Sequence, residues 1–311
     1  MTGSLNNEHD IGYKYLFSNK KVFFQLLNTF IKKEWIKKLD EQHLQKIEKS
    51  FILHDFIEKE ADIIYEMKTE EQDVYFYILL ELQSSVDYSM PFRLLQYMYE
   101  LWRDIIKNTD QREFKSKKFK LPVIVPIVLY NGQNKWTAPL AFKDYFHQGE
   151  LFGEQVLDFK YILLDVNRME KDELINNENL ISSIFYLDRT VKNEEEIFER
   201  LNTISRVLQY IPREDFLVFK NWVKHILINR FPEEQSEEII SLIENSNQKE
   251  VSLMISGLEQ SYKKNTENAL AVVKLLLEGK TVEEISEKLH LPPKKVIEIK
   301  EMFESMNSKL N

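Results

Sequence analysis

The chain has no cysteine in its 311 residues, which excludes disulfides and thiolate metal centres. Glycine is scarce too, seven in all, leaving little room for the glycine-rich loops that cradle nucleotide phosphates; no such loop and no serine or lysine nucleophile motif is visible. A run of about 18 apolar residues, which a membrane-spanning helix needs, is missing. The opening MTGSLNNEHDIGYKYLF lacks the basic-then-apolar layout of an export signal. These absences lead us to expect a cytoplasmic protein with no membrane partner. Net positive charge is lacking as well: the formal charge of -9 argues against a uniformly basic coat for nucleic acid.

With 43% hydrophobic and 30% charged residues, the chain is an ordinary globular one, long enough for one large or two smaller domains. Its positive charge is uneven. Lysines crowd the first fifty residues, among them Lys14, Lys32, Lys33, Lys37 and Lys38. A second basic segment runs from Arg103 through Lys115, Lys117, Lys118 and Lys120. Such runs are commonly solvated surface, and they are also what a path for a polyanion requires.

From His9 to about Lys38, Tyr13, Leu16, Phe17, Phe23, Phe24, Leu27, Phe30 and Ile31 recur at helical spacing, which predicts one or two amphipathic helices. Between Ser50 and Ser85 the pattern becomes strand-like: FILHDFI, ADIIYEMK and VYFYILLELQ, the last two joined by TEEQD. Pro91 opens a helix with Leu94, Leu95, Met98, Leu101, Trp102 and Ile105 on one stripe. LPVIVPIVLYNG suits a strand covered on both faces, although Pro126 within it requires an edge or a bulge. FKYILLDV, residues 159–166, is a further strand, and helices follow from about Glu170. The expected class is mixed α/β, with helices packed on a sheet.

The acid and amide at the end of VYFYILLELQ carry the chemistry. If the turn between the last two strands centres between Glu71 and Gln72, Asp62 sits opposite Glu81. Opposed residues share a face with Cβ atoms about 4.5 to 5.5 Å apart, and Gln83 shares it by the two-residue period. Carboxylates that close repel unless a cation or proton lies between them. A divalent Mg²⁺ or Mn²⁺ resolves the repulsion, takes oxygen ligands and assists phosphoryl chemistry. The competing account is a solvent-facing hairpin end with incidental acids.

An acid, a short hairpin, then acid-any-amide resembles the PD-(D/E)XK nuclease superfamily. The branch most similar is the recombination-promoting nuclease and putative transposase family. The likeness rests on HDIGYKYLF, on ADIIYEM with YILLELQSSVDYSMPFRLLQYM, and on LPVIVPIVLYNGQNKW, in that order between Glu8 and Trp136. It implies a restriction-endonuclease-like core (helix, three strands, helix, strand) with a helical C-terminal extension. It implies Asp62 and Glu81 as metal ligands and Gln83 in place of the superfamily's lysine. Where the family commonly has histidine between acid and glutamine, this chain has Leu82, which alternation directs to the other face. Asp10 would supply an accessory acid, with His9 and Lys14 nearby, and Arg93 could touch phosphate; a plain helix N-cap at His9 and Asp10 competes with this. The implied domains are a nuclease domain at 1–170, a helical linker region at 171–265 and a small three-helix unit at 266–311.

In that last unit, Gly279 resembles a helix C-cap, Thr281 and Glu284 have capping-box spacing, and LPP precedes a final helix carrying Lys294, Lys295 and Lys300. This resembles a helix-turn-helix that meets DNA phosphates, against a purely structural bundle. The two His-Asp pairs, His9-Asp10 and His54-Asp55, also invite an all-helical phosphohydrolase. That fold needs both pairs on helices, whereas the second lies in a strand-like run. The function expected is a Mg²⁺-dependent DNA endonuclease, with a catalytically silent DNA-binding or scaffold protein of the same fold as the alternative. Cutting both strands would call for a homodimer.

Overall fold

The computed structural model describes residues 11–47, 63–69, 72–191, 193, 195–228 and 233–308. Contacts divide the chain into a first unit, Met1–Ile226, and a second, Leu227–Asn311.

The N-terminal helical pattern resolves into two helices, α1 (residues 11–18) and α2 (Lys20–Phe30). The break falls at Asn19, whose side chain accepts from the Lys21 and Val22 amides and so caps α2. Tyr13, Leu16, Phe17, Phe23, Leu27 and Ile31 are buried, as their spacing predicts. A five-stranded sheet follows, in the order β1 (Leu44–Lys46), β2 (Ile63–Thr69), β3 (Gln72–Gln83), β4 (Val123–Tyr130), β5 (Ile162–Asp165). The β1–β2 and β2–β3 pairs are antiparallel; β3–β4 and β4–β5 are parallel. The chain is thus mixed α/β. FILHDFI, expected to be a strand, lies outside the described residues; β1 is a three-residue strand in a stretch whose lysines drew attention only as charge.

β2 and β3 pair from Ile63 opposite Leu80 to Lys68 opposite Tyr75, the register anticipated from the turn. At Lys68/Thr69 the register shifts, so that Thr69 faces Gln72. An irregularity of this kind lets the hairpin close one residue early without moving side chains between faces elsewhere.

The crossover from β3 to β4 is made by α3 (Met90–Asn108), with Pro91 in its first turn, and the short α4 (Gln111–Phe114). Met90, Leu94, Tyr97, Met98 and Leu101 of α3 pack on Ile64, Ile124, Val128 and Tyr130 of the sheet, with Trp136, Ala138 and Tyr161 closing the layer. The opposite face takes α2, where Phe23 stacks on Tyr65 at 4.2 Å between ring centroids. The buried Tyr65 hydroxyl donates to the Phe17 carbonyl at 2.8 Å. Pro126 lies one residue before pairing with β5 begins, where β4 has only β3 beside it. A missing ladder donor is tolerated there.

After β5 come α5 (Lys171–Asn176), α6 (Leu180–Asp188), α7 (Glu195–Tyr210) and α8 (Arg213–Ile228). α6 is buried from Leu180 to Leu187 because, apart from Ser182 and Ser183, these residues are apolar or aromatic and pack on α2, α5 and α7. The second unit holds α9 (Glu233–Asn245), α10 (Val251–Leu277), α11 (Val282–Leu289) and α12 (Pro293–Ser308). Val272, Leu275, Ile285 and Val296 form a small core. Gly279 has φ +81° at the end of α10, and Thr281 and Glu284 cap α11 reciprocally, as their spacing predicts. Among the described residues no helix is long and apolar enough to cross a membrane.

Leu94 is fully buried between α3 and the sheet. Leu94→Ala is expected to lower unfolding free energy by about 2 to 5 kcal/mol, measured by urea denaturation, and half-buried Leu95→Ala by clearly less.

Candidate active site

The parallel strands end together, and the candidate residues gather at their carboxyl ends. In the register, Glu81 pairs with Val128 and Gln83 with Tyr130, while Val128 pairs with Leu163 and Tyr130 with Asp165. Opposed residues share a face, so these positions fall on the face that Ile64, Val128 and Tyr130 present to α3. Leu82 pairs with Leu129; both are buried, and strand alternation puts them on the other face, as expected of the residue that stands where the resemblance has histidine. Gln83 is half-buried, and its carbonyl accepts from the Asn131 amide at 3.1 Å.

A glycine fixes how the next loop meets this end of the sheet. A Cβ on Gly132 would stand 2.5 Å from the Ser84 carbonyl oxygen and 2.3 Å from the Tyr130 hydroxyl. Only a residue without a side chain lets the backbone after β4 lie against the backbone after β3. Asn167 completes the arrangement. Its amide nitrogen donates to the Asn131 carbonyl at 2.6 Å and the Gly132 carbonyl at 3.1 Å, and its oxygen accepts from the Thr190 amide at 2.7 Å.

Two carboxylates flank this end. Asp165, level with Gln83 two strands away, is largely buried, with Arg168 Nη1 3.5 Å from its Oδ1. Burial raises its carboxyl pKa more than the nearby guanidinium lowers it. Asp87 lies in the loop after β3, where Arg93 Nη1 donates to Oδ2 at 2.6 Å and the Ser89 hydroxyl to Oδ1 at 2.6 Å. Burial alone would raise Asp87, but the bonds from Ser89 and Arg93 outweigh it and hold the carboxyl below its ordinary value. Sequence inspection singled out neither acid, since each becomes notable only through a partner supplied by the fold.

Of the residues expected at the site, His9, Asp10 and Asp62 lie outside the described residues, and of Glu81 the backbone register is described. Lys14 is exposed on α1. Arg93 is mostly buried, bound to Asp87 and also donating to the Tyr97 hydroxyl at 3.3 Å. Lys32, Lys33, Lys37, Lys38, Lys115, Lys117 and Lys118 are exposed; Lys32 pairs with Glu173 at 2.7 Å and Lys37 with Glu34 at 2.9 Å. In the second unit Lys294 is exposed and 3.9 Å from Glu298, whereas Lys295 is only 7% exposed, on the side of α12 that carries Val296. Among the described residues no three metal-ligating side chains cluster.

Gly132→Ala is expected to cost about 1 to 3 kcal/mol of stability by overpacking, read from thermal or urea unfolding. Asp87→Asn should destabilise at pH 7. Because the folded Asp87 pKa is depressed, its contribution is present above the unfolded value of about 3.9 and is lost as pH falls through the folded value. The stability gap between wild type and variant should therefore shrink below about pH 4.

Comparison with known proteins adds a family. The family described as "Putative transposase, YhgA-like" matches residues 7–218. Among curated proteins, "Recombination-promoting nuclease RpnD" of Escherichia coli O157:H7 is 22% identical over 173 residues, 55% of this chain and 64% of that protein. "Recombination-promoting nuclease RpnA" of E. coli K12 is 28% identical over 142 residues, 45% of this chain and 46% of that protein. "Inactive recombination-promoting nuclease-like protein RpnE" of E. coli K12 is 23% identical over 176 residues, 56% of each chain. The chain thus spans from under half to just under two thirds of the length of these relatives. No solved structure matches.

Proposed function

Since the chain belongs to the YhgA-like transposase family, we propose that it is a divalent-metal-dependent DNA endonuclease with a restriction-endonuclease-like core. The observation that carries this reading is the β2–β3 register. It pairs Ile63 with Leu80; were the same register to run on by one residue, Asp62 would stand opposite Glu81, with Gln83 next along the same face. The nuclease names of the similar curated proteins support the chemistry.

The donor set fits the ion. Two carboxylates and an amide offer oxygen atoms only, which suits Mg²⁺ or Mn²⁺ over softer metals. Asp62 and Glu81 would hold it. When bound, it would set positive charge against the phosphodiester oxygens and favour hydroxide over water. Gln83 would orient the attacking water through its amide; being neutral, it adds no charge where a lysine would. Arg93, fixed by Asp87, would stand ready for a flanking phosphate. The exposed lysines at 32–38 and 115–118 would line the DNA path, Lys14 would assist from α1 and Asp10 and His9 from the sequence before it, and Lys294 would add a contact from the second unit. Two protomers would be needed to cut both strands.

A catalytically silent module of the same fold is favoured by one observation, the word "inactive" in the name of a similar protein. Nicking of supercoiled plasmid decides between the two. Purified protein should cut with Mg²⁺ or Mn²⁺ and stop with EDTA. Asp62→Asn and Glu81→Gln should each slow cutting by about 10²-fold or more and Gln83→Ala by about tenfold or more, all with wild-type thermal unfolding. No cutting by the wild type in any metal would leave the silent module.

A further inference from the structure

Beyond β5 the chain builds an open cleft of about 400 Å³ that none of these residues explains. Its walls come from Gln133 after β4, the turn at Arg168, the start of α5 at Lys171, the end of α6 at Tyr186 and Arg189, and Arg200 of α7. Four cations face it, against the carboxylates of Glu196 and, beside Arg168, Asp165.

The four do different work. Arg200 is buried and committed: it donates to the carbonyls of Tyr186, Arg189 and Thr190 and pairs with Glu196 at 2.6 Å. It therefore shapes the wall. Arg168 donates to the Gly132 carbonyl at 3.0 Å and to that of Gln133, tying the loop after β4 to the turn after β5. Lys171 and Arg189 are different. Neither side chain makes a hydrogen bond or ion pair with any described residue; Lys171 Nζ lies 5.7 Å from the Tyr186 ring centroid. Two uncommitted cations thus face a polar cleft, which suits a phosphate, an anion that Lys and Arg bind readily.

The cleft is also joined to the candidate active site. Asn167 links the lip at Thr190 to Asn131, whose amide is bonded to the Gln83 carbonyl. β5 stands two strands from β3, about 10 Å, so both features lie at one end of one sheet.

We propose that this cleft binds a backbone phosphate of the nucleic-acid strand held at Glu81 and Gln83, with Lys171 and Arg189 as its ligands. The proposal rests on the nuclease reading above, since it takes its ligand from that substrate. It is tested by fluorescence anisotropy of a labelled DNA duplex in EDTA, with KCl varied. Binding should weaken roughly tenfold in Lys171→Ala/Arg189→Ala, and the slope of log K against log salt should flatten by about 1. Lys171→Arg/Arg189→Lys should restore the slope, and both variants should unfold at the wild-type temperature. An unchanged slope in the alanine variant overturns the cleft, and the nuclease reading then stands or falls separately on plasmid cutting by Glu81→Gln. No DNA binding by the wild type removes both. If inorganic pyrophosphate raises the unfolding temperature of the wild type but not of the alanine variant while the DNA slope stays put, the cleft serves a free phosphate compound and the strand proposal fails.

Discussion

The register between β2 and β3 governs the first unit. A strand has only two faces, so fixing Ile63 opposite Leu80 decides at once which residues enter the layer under α3 and which meet α2. Ile64 joins the α3 core, and Tyr65 stacks on Phe23 behind it. The parallel pairing of β3 with β4 carries the same decision across the sheet, so that Glu81, Gln83, Val128, Tyr130 and Asp165 are positions on one face. A slip of one residue would exchange the two faces and dismantle both cores. The hairpin tip shows how the register is protected: the mismatch in turn length is absorbed at Lys68/Thr69 and does not propagate.

Around that frame, polar side chains are used mainly to hold backbone. Asn167 binds two carbonyls and an amide from two other segments. Arg200 satisfies three carbonyls where α6 ends. Orphan carbonyls at a helix end must find donors, and a guanidinium with five of them is well matched to the task. The charge that remains uncommitted, at Lys171 and Arg189, stands out because its neighbours are so fully used.

What could be read from residue order follows from the range of the forces involved. Strand alternation is local, and the register assumed from a turn centred between Glu71 and Gln72 holds from Ile63 to Lys68, whereas the hairpin closes one residue before that centre, with Thr69 opposite Gln72. Local rules likewise foretold Pro91 in the first turn of α3, Pro126 beside an unpaired stretch, and the caps at Gly279 and Thr281. β1 escaped notice because three residues carry no period. The break at Asn19 is a choice between continuing a helix and capping the next, which side-chain pattern alone does not decide. Asp87, Asp165, Lys171, Arg189 and Arg200 were invisible as a group because their segments meet only in the fold. The lysines of the last helix were equally opaque: Lys294 and Lys295 are adjacent in the chain, yet one is exposed and the other buried beside Val296.

The topology also divides the molecule by sequence separation. The β2–β3 hairpin closes across the two residues between Thr69 and Gln72, whereas β4 reaches β3 only after the α3 crossover, and the walls of the cleft come from segments as far apart as Gln133 and Arg200. Closing a long loop costs more entropy than closing a short one, and non-local contacts form later as a rule. The hairpin that bears Glu81 and Gln83 can therefore assemble while the cleft is still open chain, and the walls of the cleft come together last.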